Sequence, residues 1–285
     1  MSRKDWKRPE LVPLAEGMRR IKLTCAYEGS AFHGWQSQDN SVSVQETIEA
    51  ALASMGLSAK VQGSGRTDAG VHALGQVCHF DIPSACSIPA EKFTPALNAL
   101  LPSTVRIISS EEKDGSFHAR FTTMAREYVY FVKSYDNALP FDTGHVALYR
   151  KTPSVEILNS YASMLQGTHD FTTFSSSRDS SLSKWRDIYE SYWSVITDRF
   201  GREMLKYTVV GNAFLYHQVR SMTGTMMDAA LMGESTEAFR SRLESCDRSR
   251  ALRTAPADGL YLSRISYDED EYAWFEEESD GKQCR

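Results

Sequence analysis

Cysteine is scarce in this chain and follows no pattern. The five present (Cys25, Cys78, Cys86, Cys246 and Cys284) form an odd set without a Cys-x-x-Cys pair. That excludes a disulfide framework or a zinc ribbon and suits a reducing compartment. Long apolar runs are missing too, since no stretch approaches the ~18 residues of a membrane span. The opening MSRKDWKRPELVPLAEGMRR has no apolar centre of the kind a secretory signal needs. The expectation is a cytoplasmic protein with no membrane partner. The zinc-deaminase pattern of His-x-Glu with Pro-Cys-x-x-Cys is absent and the seven histidines are scattered, so no catalytic metal is expected. Neither a repeat of solenoid period nor a low-complexity linker divides the chain.

Positive charge, the usual footprint of a nucleic-acid binder, is also short: the net charge is −5. Its distribution changes the reading. From Asp268 onward eight acids stand against Lys282 and Arg285, and without that segment 30 basic residues face 29 acidic ones. Residues 1–22 carry seven Lys or Arg and three acids. The two ends therefore read as a basic N-terminal extension (1–19) and a solvated acidic tail (268–285), and the body is neutral enough to hold a local basic groove. What remains is ordinary globular material, 41% hydrophobic and 24% charged over 285 residues, enough for one large or two modest domains.

Periodicity gives alternating strands and helices. Arg20–Tyr27 alternates, with Ile21, Leu23, Cys25 and Tyr27 on one side, which predicts a strand with one buried face. Ser43-Val44-Gln45-Glu46 is a capping box opening a helix with Val44, Ile48, Ala51, Leu52 and Met55 on one face and Gly56 as its stop. Strands are predicted at Gln76–Ile82, Val105–Ser109 and Arg126–Lys133, and a helix at Ala90–Leu100. The second half repeats the scheme: a helix over Ser154–Gln166, strands around Tyr189–Thr197 and Met204–Val210, a long helix from Phe214 to Met232 stopped by Gly233, a short helix from Ser235, and a strand at Gly259–Tyr267. Strands joined partly as hairpins and partly through helices predict an α+β fold of two half-units, 20–140 and 141–267, with the break in the Pro- and Gly-bearing loop Ser134–Thr152. Whether the two sheets fuse is open at this stage.

One segment concentrates chemistry: Gly63-Ser64-Gly65-Arg66-Thr67-Asp68-Ala69-Gly70-Val71-His72-Ala73-Leu74-Gly75. Four glycines in thirteen residues ahead of a strand suggest a loop in unusual backbone angles that a ligand can approach closely. It is not a P-loop, because no Gly-Lys-Ser/Thr follows, and it lacks the Gly-x-Gly-x-x-Gly of a dinucleotide site. On spacing alone it remains open between a plain surface turn and a site built on Arg66, Asp68 and His72.

The run Gly65–Ala73 resembles the signature of the TruA-type tRNA pseudouridine synthases, and the resemblance extends in order along nearly the whole chain. Tyr27-Glu28-Gly29 with Phe32-His33-Gly34-Trp35-Gln36, Val44-Gln45-Glu46, Gly75-Gln76-Val77, Asn98 with Leu101-Pro102, Phe117-His118-Ala119-Arg120-Phe121, Gly167-Thr168-His169-Asp170-Phe171, Phe214–Arg220 and Ala255–Leu262 all fit. Departures are small: Glu28 stands where the family often has Asp, and the serine-rich loop Ser175–Ser183 carries no recognised feature.

The resemblance implies the pseudouridine synthase fold, two ferredoxin-like half-units around a mainly antiparallel sheet with an RNA-binding cleft between them. It implies a cofactor-free isomerisation of uridine in the anticodon arm of tRNA, at positions about 38 to 40, by a homodimer. By the same resemblance Asp68 acts at the ribose, either attacking C1′ or taking the C2′ proton. Tyr128 stacks on the target base and has a possible part in proton transfer, with Tyr130 on the same side of its strand as the alternative. Arg220 pairs with Asp68, and Arg66 fills the space of the extruded base. His72, Gln76 and His217 are left as scaffolding. Competing classes are a non-catalytic RNA-binding or tRNA-folding module, a related synthase acting on other RNA sites, and an aspartyl phosphohydrolase, the last weakened by the lack of an acidic Mg²⁺ cluster in the sequence.

Overall fold

The computed structural model describes residues 13–38 and 41–267. Most of the basic N-terminal extension, the acidic tail 268–285 and Cys284 lie outside the described residues.

The first strand, β1 (Met18–Tyr27), alternates as its sequence does: Ile21, Leu23, Cys25 and Tyr27 are buried while the residues between them are mostly half-buried. Helix α1 (Val44–Ser54) opens on a complete capping box, with Ser43 Oγ accepting from Glu46 N and the Glu46 carboxylate returning to Ser43 N. It buries Val44, Ile48, Ala51 and Leu52. A two-residue strand β2 (Gln62–Gly63) precedes the chemistry-bearing loop, and β3 (His72–Pro83) follows it. Sequence periodicity starts β3 at Gln76; it starts four residues earlier, because His72 and Ala73 pair across a neighbouring strand. The helix expected over Ala90–Leu100 is a 3₁₀ turn, Ala90–Lys92, followed by a short α2 (Phe93–Asn98). Its end is fixed by Asn98, whose amide donates to Ile107 O and accepts from Ile107 N in β4 (Val105–Lys113).

Strand β5 (Ala125–Ser134) is central and buries Tyr128, Val129 and Tyr130 in succession, so both of its faces are covered there. The connection beyond it contains two 3₁₀ turns and β6 (Ala147–Tyr149), which pairs back on β5 in parallel. Next come α3 (Val155–Ala162), β7 (Gly167–Asp170), β8 (Trp185–Thr197) and β9 (Glu203–Gly211). The last elements among the described residues are α4 (Gln218–Met232), α5 (Thr236–Glu244) and β10 (Leu260–Ser266). Helix α4 begins four residues later than periodicity predicts, because His217 has a left-handed backbone with φ 63°.

The sheets fuse. Ten strands form one sheet in the order β4-β1-β3-β10-β5-β9-β8-β7, with β2 added on β3 and β6 on β5. Most of the pairs are antiparallel, so the molecule is an α+β protein built on one large, mainly antiparallel sheet. The last strand is the seam. On one side β10 pairs with β3 in parallel (Tyr261↔His72, Leu262↔Ala73), and on the other with β5 in antiparallel register, Leu262 opposite Tyr128. Leu262 thus stands between Ala73 and Tyr128, which brings the glycine-bearing loop of the first half beside β5. Gly75 serves that seam, since a Cβ there would lie 2.6 Å from Ser263 O. Among the described residues no helix is long and apolar enough to cross a membrane.

Candidate active site

Residues 64–71 link β2 to β3, and their shape is set from several sides. The Ser64 hydroxyl donates to Gln76 Oε1 at 2.9 Å, while Gln76 Nε2 donates to Gly65 O at 2.9 Å. Arg126, the second residue of β5, reaches Ser64 O with one guanidinium nitrogen and Asn212 O with another, both at 2.8 Å. Thr67 is buried, its hydroxyl 2.8 Å from the Tyr27 hydroxyl and its carbonyl accepting from Trp35 N. Gly34 allows that approach, because a Cβ there would lie 2.6 Å from Thr67 O. On the far side Val71 N closes a turn onto Asp68 O through Gly70, at φ +80°. Of the loop glycines only Gly70 occupies the left-handed region. Gly63 and Gly75 are required for space, against Trp35 and Ser263, and the expectation of unusual angles throughout does not hold.

Asp68 is therefore held between a buried clamp at Thr67 and a fixed turn at Gly70, with its side chain partly open. Its Oδ2 accepts from an Arg220 guanidinium nitrogen at 3.2 Å, across 152 residues of sequence. Arg220 is the third residue of α4 and is no free surface charge. Its Nε donates to Ala255 O at 2.9 Å, which aims the rest of the guanidinium at the carboxylate. A second group reaches the same oxygen: His217 Nε2 stands 3.3 Å from Asp68 Oδ2. Burial lowers the His217 pKa from its ordinary value. Asp68 acts against that shift, and the positive charges of Arg220, Arg248 and Arg178 add to it. The imidazole is neutral at neutral pH.

Tyr128 lies on the same strand as Arg126, packed edge-on against Phe214 at 5.2 Å between ring centres. Burial, with a contribution from the Asp68 charge and against Arg126, pushes its phenol up to about 12. Tyr130 also points to this side, but its hydroxyl donates to Pro256 O at 2.8 Å and the residue is fully buried. It is committed to packing. Arg66, two residues before Asp68, is exposed and meets no hydrogen-bond or ion-pair partner among the described residues. His72 accepts from Gly29 N through Nδ1 and stacks on Tyr261 at 4.5 Å, away from Asp68. Among the described residues no three His, Cys, Asp or Glu side chains converge as a metal site.

Two features escape the sequence reading. His217 was grouped with scaffolding, yet it contacts the carboxylate. The serine-rich loop Ser175–Ser183 forms part of the wall: Ser176 N donates to Tyr216 O, and Asp179, held by Lys184 at 2.5 Å, accepts from Tyr216 N at 2.6 Å. The Tyr216 ring lies 4.0 Å from the His217 ring, so this loop backs the histidine. No spacing signals this, because His217 precedes α4 with a left-handed backbone and helical periodicity does not place its side chain.

A carboxylate on a braced loop, gripped by arginine and flanked by a buried tyrosine at the middle of a mainly antiparallel α+β sheet, defines an enzyme of the pseudouridine synthase fold. A family model described as tRNA pseudouridine synthase matches residues 24–122 and 161–268. The tRNA pseudouridine synthase A of Bacillus subtilis (strain 168) is 41% identical over 252 residues, covering 87% of this chain and 99% of that protein. The corresponding enzyme of Anoxybacillus flavithermus is 41% identical over 262 residues (88% and 100%), and that of Borreliella burgdorferi 38% over 253 (88% and 100%). The chain belongs to the tRNA pseudouridine synthase family.

Proposed function

We propose that this enzyme converts uridine to pseudouridine in the anticodon stem-loop of tRNA, with Asp68 as the group that acts at the ribose. The observation that carries the reading is the Arg220–Asp68 hydrogen bond across the two halves of the chain. It holds a carboxylate, with one oxygen occupied and the other free of hydrogen bonds among the described residues, in a site meant for a polyanion. A module that only bound RNA would gain nothing from a carboxylate facing phosphates. A phosphohydrolase using Asp68 would call for acidic metal ligands around it, and none converge among the described residues.

The chemistry follows from the arrangement. If Asp68 attacks C1′, a C1′–O bond forms as the C1′–N1 bond breaks, with its electron pair leaving on uracil N1. If Asp68 instead takes the C2′ proton, the same bond breaks to give a glycal. In both routes the freed base turns and C5 bonds to C1′. The first route breaks the C1′–O bond and frees the Asp68 carboxylate; the second returns the C2′ proton from Asp68 to C2′. In each the C5 proton then departs while N1 takes one up. Tyr128 supplies a face for the base and a phenol that is neutral at neutral pH, suited to relaying a proton more than to removing one unaided. Arg66, exposed beside Asp68, occupies the place the extruded base vacates and lowers the cost of unstacking it. Arg178 and Arg248, which face His217, add positive charge for phosphates next to the target. No cofactor enters this scheme. The enzyme works in the cytoplasm as a homodimer across which one tRNA reaches, in keeping with the family resemblance of its motifs.

Mass-resolved mapping of pseudouridine in tRNA from cells lacking the protein tests the position. Loss confined to the anticodon arm is the expected result, and loss elsewhere would make the chain a related synthase of different site choice.

A further inference from the structure

Two groups stand at one oxygen of Asp68: Arg220 donates a hydrogen bond to it, while the His217 imidazole lies against it with no part yet assigned. His217 is among the few residues other than glycine with a positive φ, at 63°. That region is strained for a side chain with a Cβ, and such strain persists where the surroundings over-determine it. Here the surroundings are explicit. Ser221 N donates to His217 O at the start of α4, Gln218 Oε1 accepts from Leu215 N, and Tyr216 is pinned by Ser176 and Asp179. The backbone is thus turned at one residue so that its imidazole lands 3.3 Å from Asp68 Oδ2, beside the Arg220 contact at 3.2 Å. Among the described residues no hydrogen bond is made to Oδ1.

We propose that His217 is a positioning residue for Asp68: with Arg220 it holds Oδ2, so that Oδ1 is the oxygen presented to the ribose. The inference rests on the reading of Asp68 as the acting group. In the neutral form the imidazole fixes the carboxylate's rotation without a full charge. Once protonated, it adds a second cation to the same oxygen and draws electron density from the nucleophile or base. The charged groups that face it are Asp68, Arg220, Arg178 and Arg248, and the three arginines all oppose protonation. The strained backbone is then the cost of placing a neutral imidazole against the carboxylate where a glycine would fit more easily.

His217→Gly separates the two parts, because glycine accepts the left-handed backbone and removes the imidazole. The expected result is a folded protein whose melting temperature is unchanged or higher and whose tRNA Kd is within twofold. Its single-turnover rate at pH 7.5 should be about 10–100-fold lower. His217→Asn, which also tolerates this backbone and keeps a polar side chain against the carboxylate, should recover part of the rate. The wild-type rate should fall as the pH drops below 6.5, and that acid limb should flatten in His217→Gly. A folded His217→Gly with wild-type rate and wild-type pH profile, or a His217→Asn no faster than His217→Gly, would overturn the proposal. Full activity in Asp68→Asn would overturn instead the reading on which it rests.

Discussion

Tyr128 is the residue whose two possible contributions are easiest to separate. Its ring offers stacking, worth about 1–3 kcal/mol per base when an aromatic platform is removed. Its hydroxyl offers proton relay, for which general acid–base catalysis commonly contributes about 10²–10⁴-fold. With the phenol pushed up to about 12, it is protonated across the working pH range. Tyr128→Phe should therefore leave the tRNA Kd within about twofold and slow turnover at least about tenfold. Equilibrium binding and single-turnover rates on the same preparation check this. At this scale the sequence was informative where a residue sits in a motif. Asp68, Arg220 and Tyr128 converge on one side of the seam, and Tyr130, the alternative, is tied to Pro256 O. His217 was not legible as a site residue, because no periodicity announces a left-handed histidine at a helix start.

At the scale of elements, the parts that read correctly are those with explicit cap chemistry. The Ser43–Glu46 box opens α1, Ser235 caps α5 and Gly233 ends α4 in the left-handed region. The parts that read poorly are set by distant partners, as when the Asn98 side chain pairs with Ile107 at the end of its helix, or when β3 is lengthened by β10. The same dependence gives a test on α4. Gly224 lies against the segment that follows α5, and a Cβ there would fall far inside contact distance of Arg253 O and 2.8 Å from Ala255 N. That segment holds Arg220, since Ala255 N donates to Arg220 O and Ala255 O accepts from Arg220 Nε. Gly224→Ala gains about 1 kcal/mol of helix propensity but forces the segment away, an overpacking cost of about 1–3 kcal/mol or more. The expected outcome is a lower denaturation midpoint together with slower turnover. A stabilised, fully active variant would show that the segment does not position Arg220.

The whole molecule adds two expectations that no single motif contains. His79 is buried on β3 with Nδ1 accepting from Ala119 N, and burial, with Arg20 and His118 nearby, lowers its pKa to about 3. A histidine whose folded pKa lies below its unfolded value of about 6.5 binds more protons when unfolded, so stability falls as pH drops below 6.5 and continues to fall towards 3. Between pH 7 and 5 this group alone accounts for roughly 2 kcal/mol. Urea denaturation of His79→Gln should show that much less loss than wild type over the same interval. The second expectation concerns charge, because the net −5 hides a neutral body. If phosphates are held near Arg66, Arg178 and Arg248, log affinity for tRNA should fall linearly with log salt, with a slope of about −3 to −6. A flat response would remove the basic cleft. The fused sheet itself was not legible in the sequence, since the seam depends on two parallel residue pairs at the end of the chain.

The central claim is that Asp68 carries the isomerisation. Tritium release from tRNA labelled at uracil C5 measures it directly, because C5 loses its hydrogen only when the base has been rejoined to the sugar through that carbon. Wild-type protein should release tritium, and Asp68→Asn, nearly isosteric but unable to act as nucleophile or base, should bind the same tRNA with release reduced by at least about 10³-fold, some 4 kcal/mol of barrier. Release by Asp68→Asn within about tenfold of wild type, only ~1.4 kcal/mol, would contradict the account.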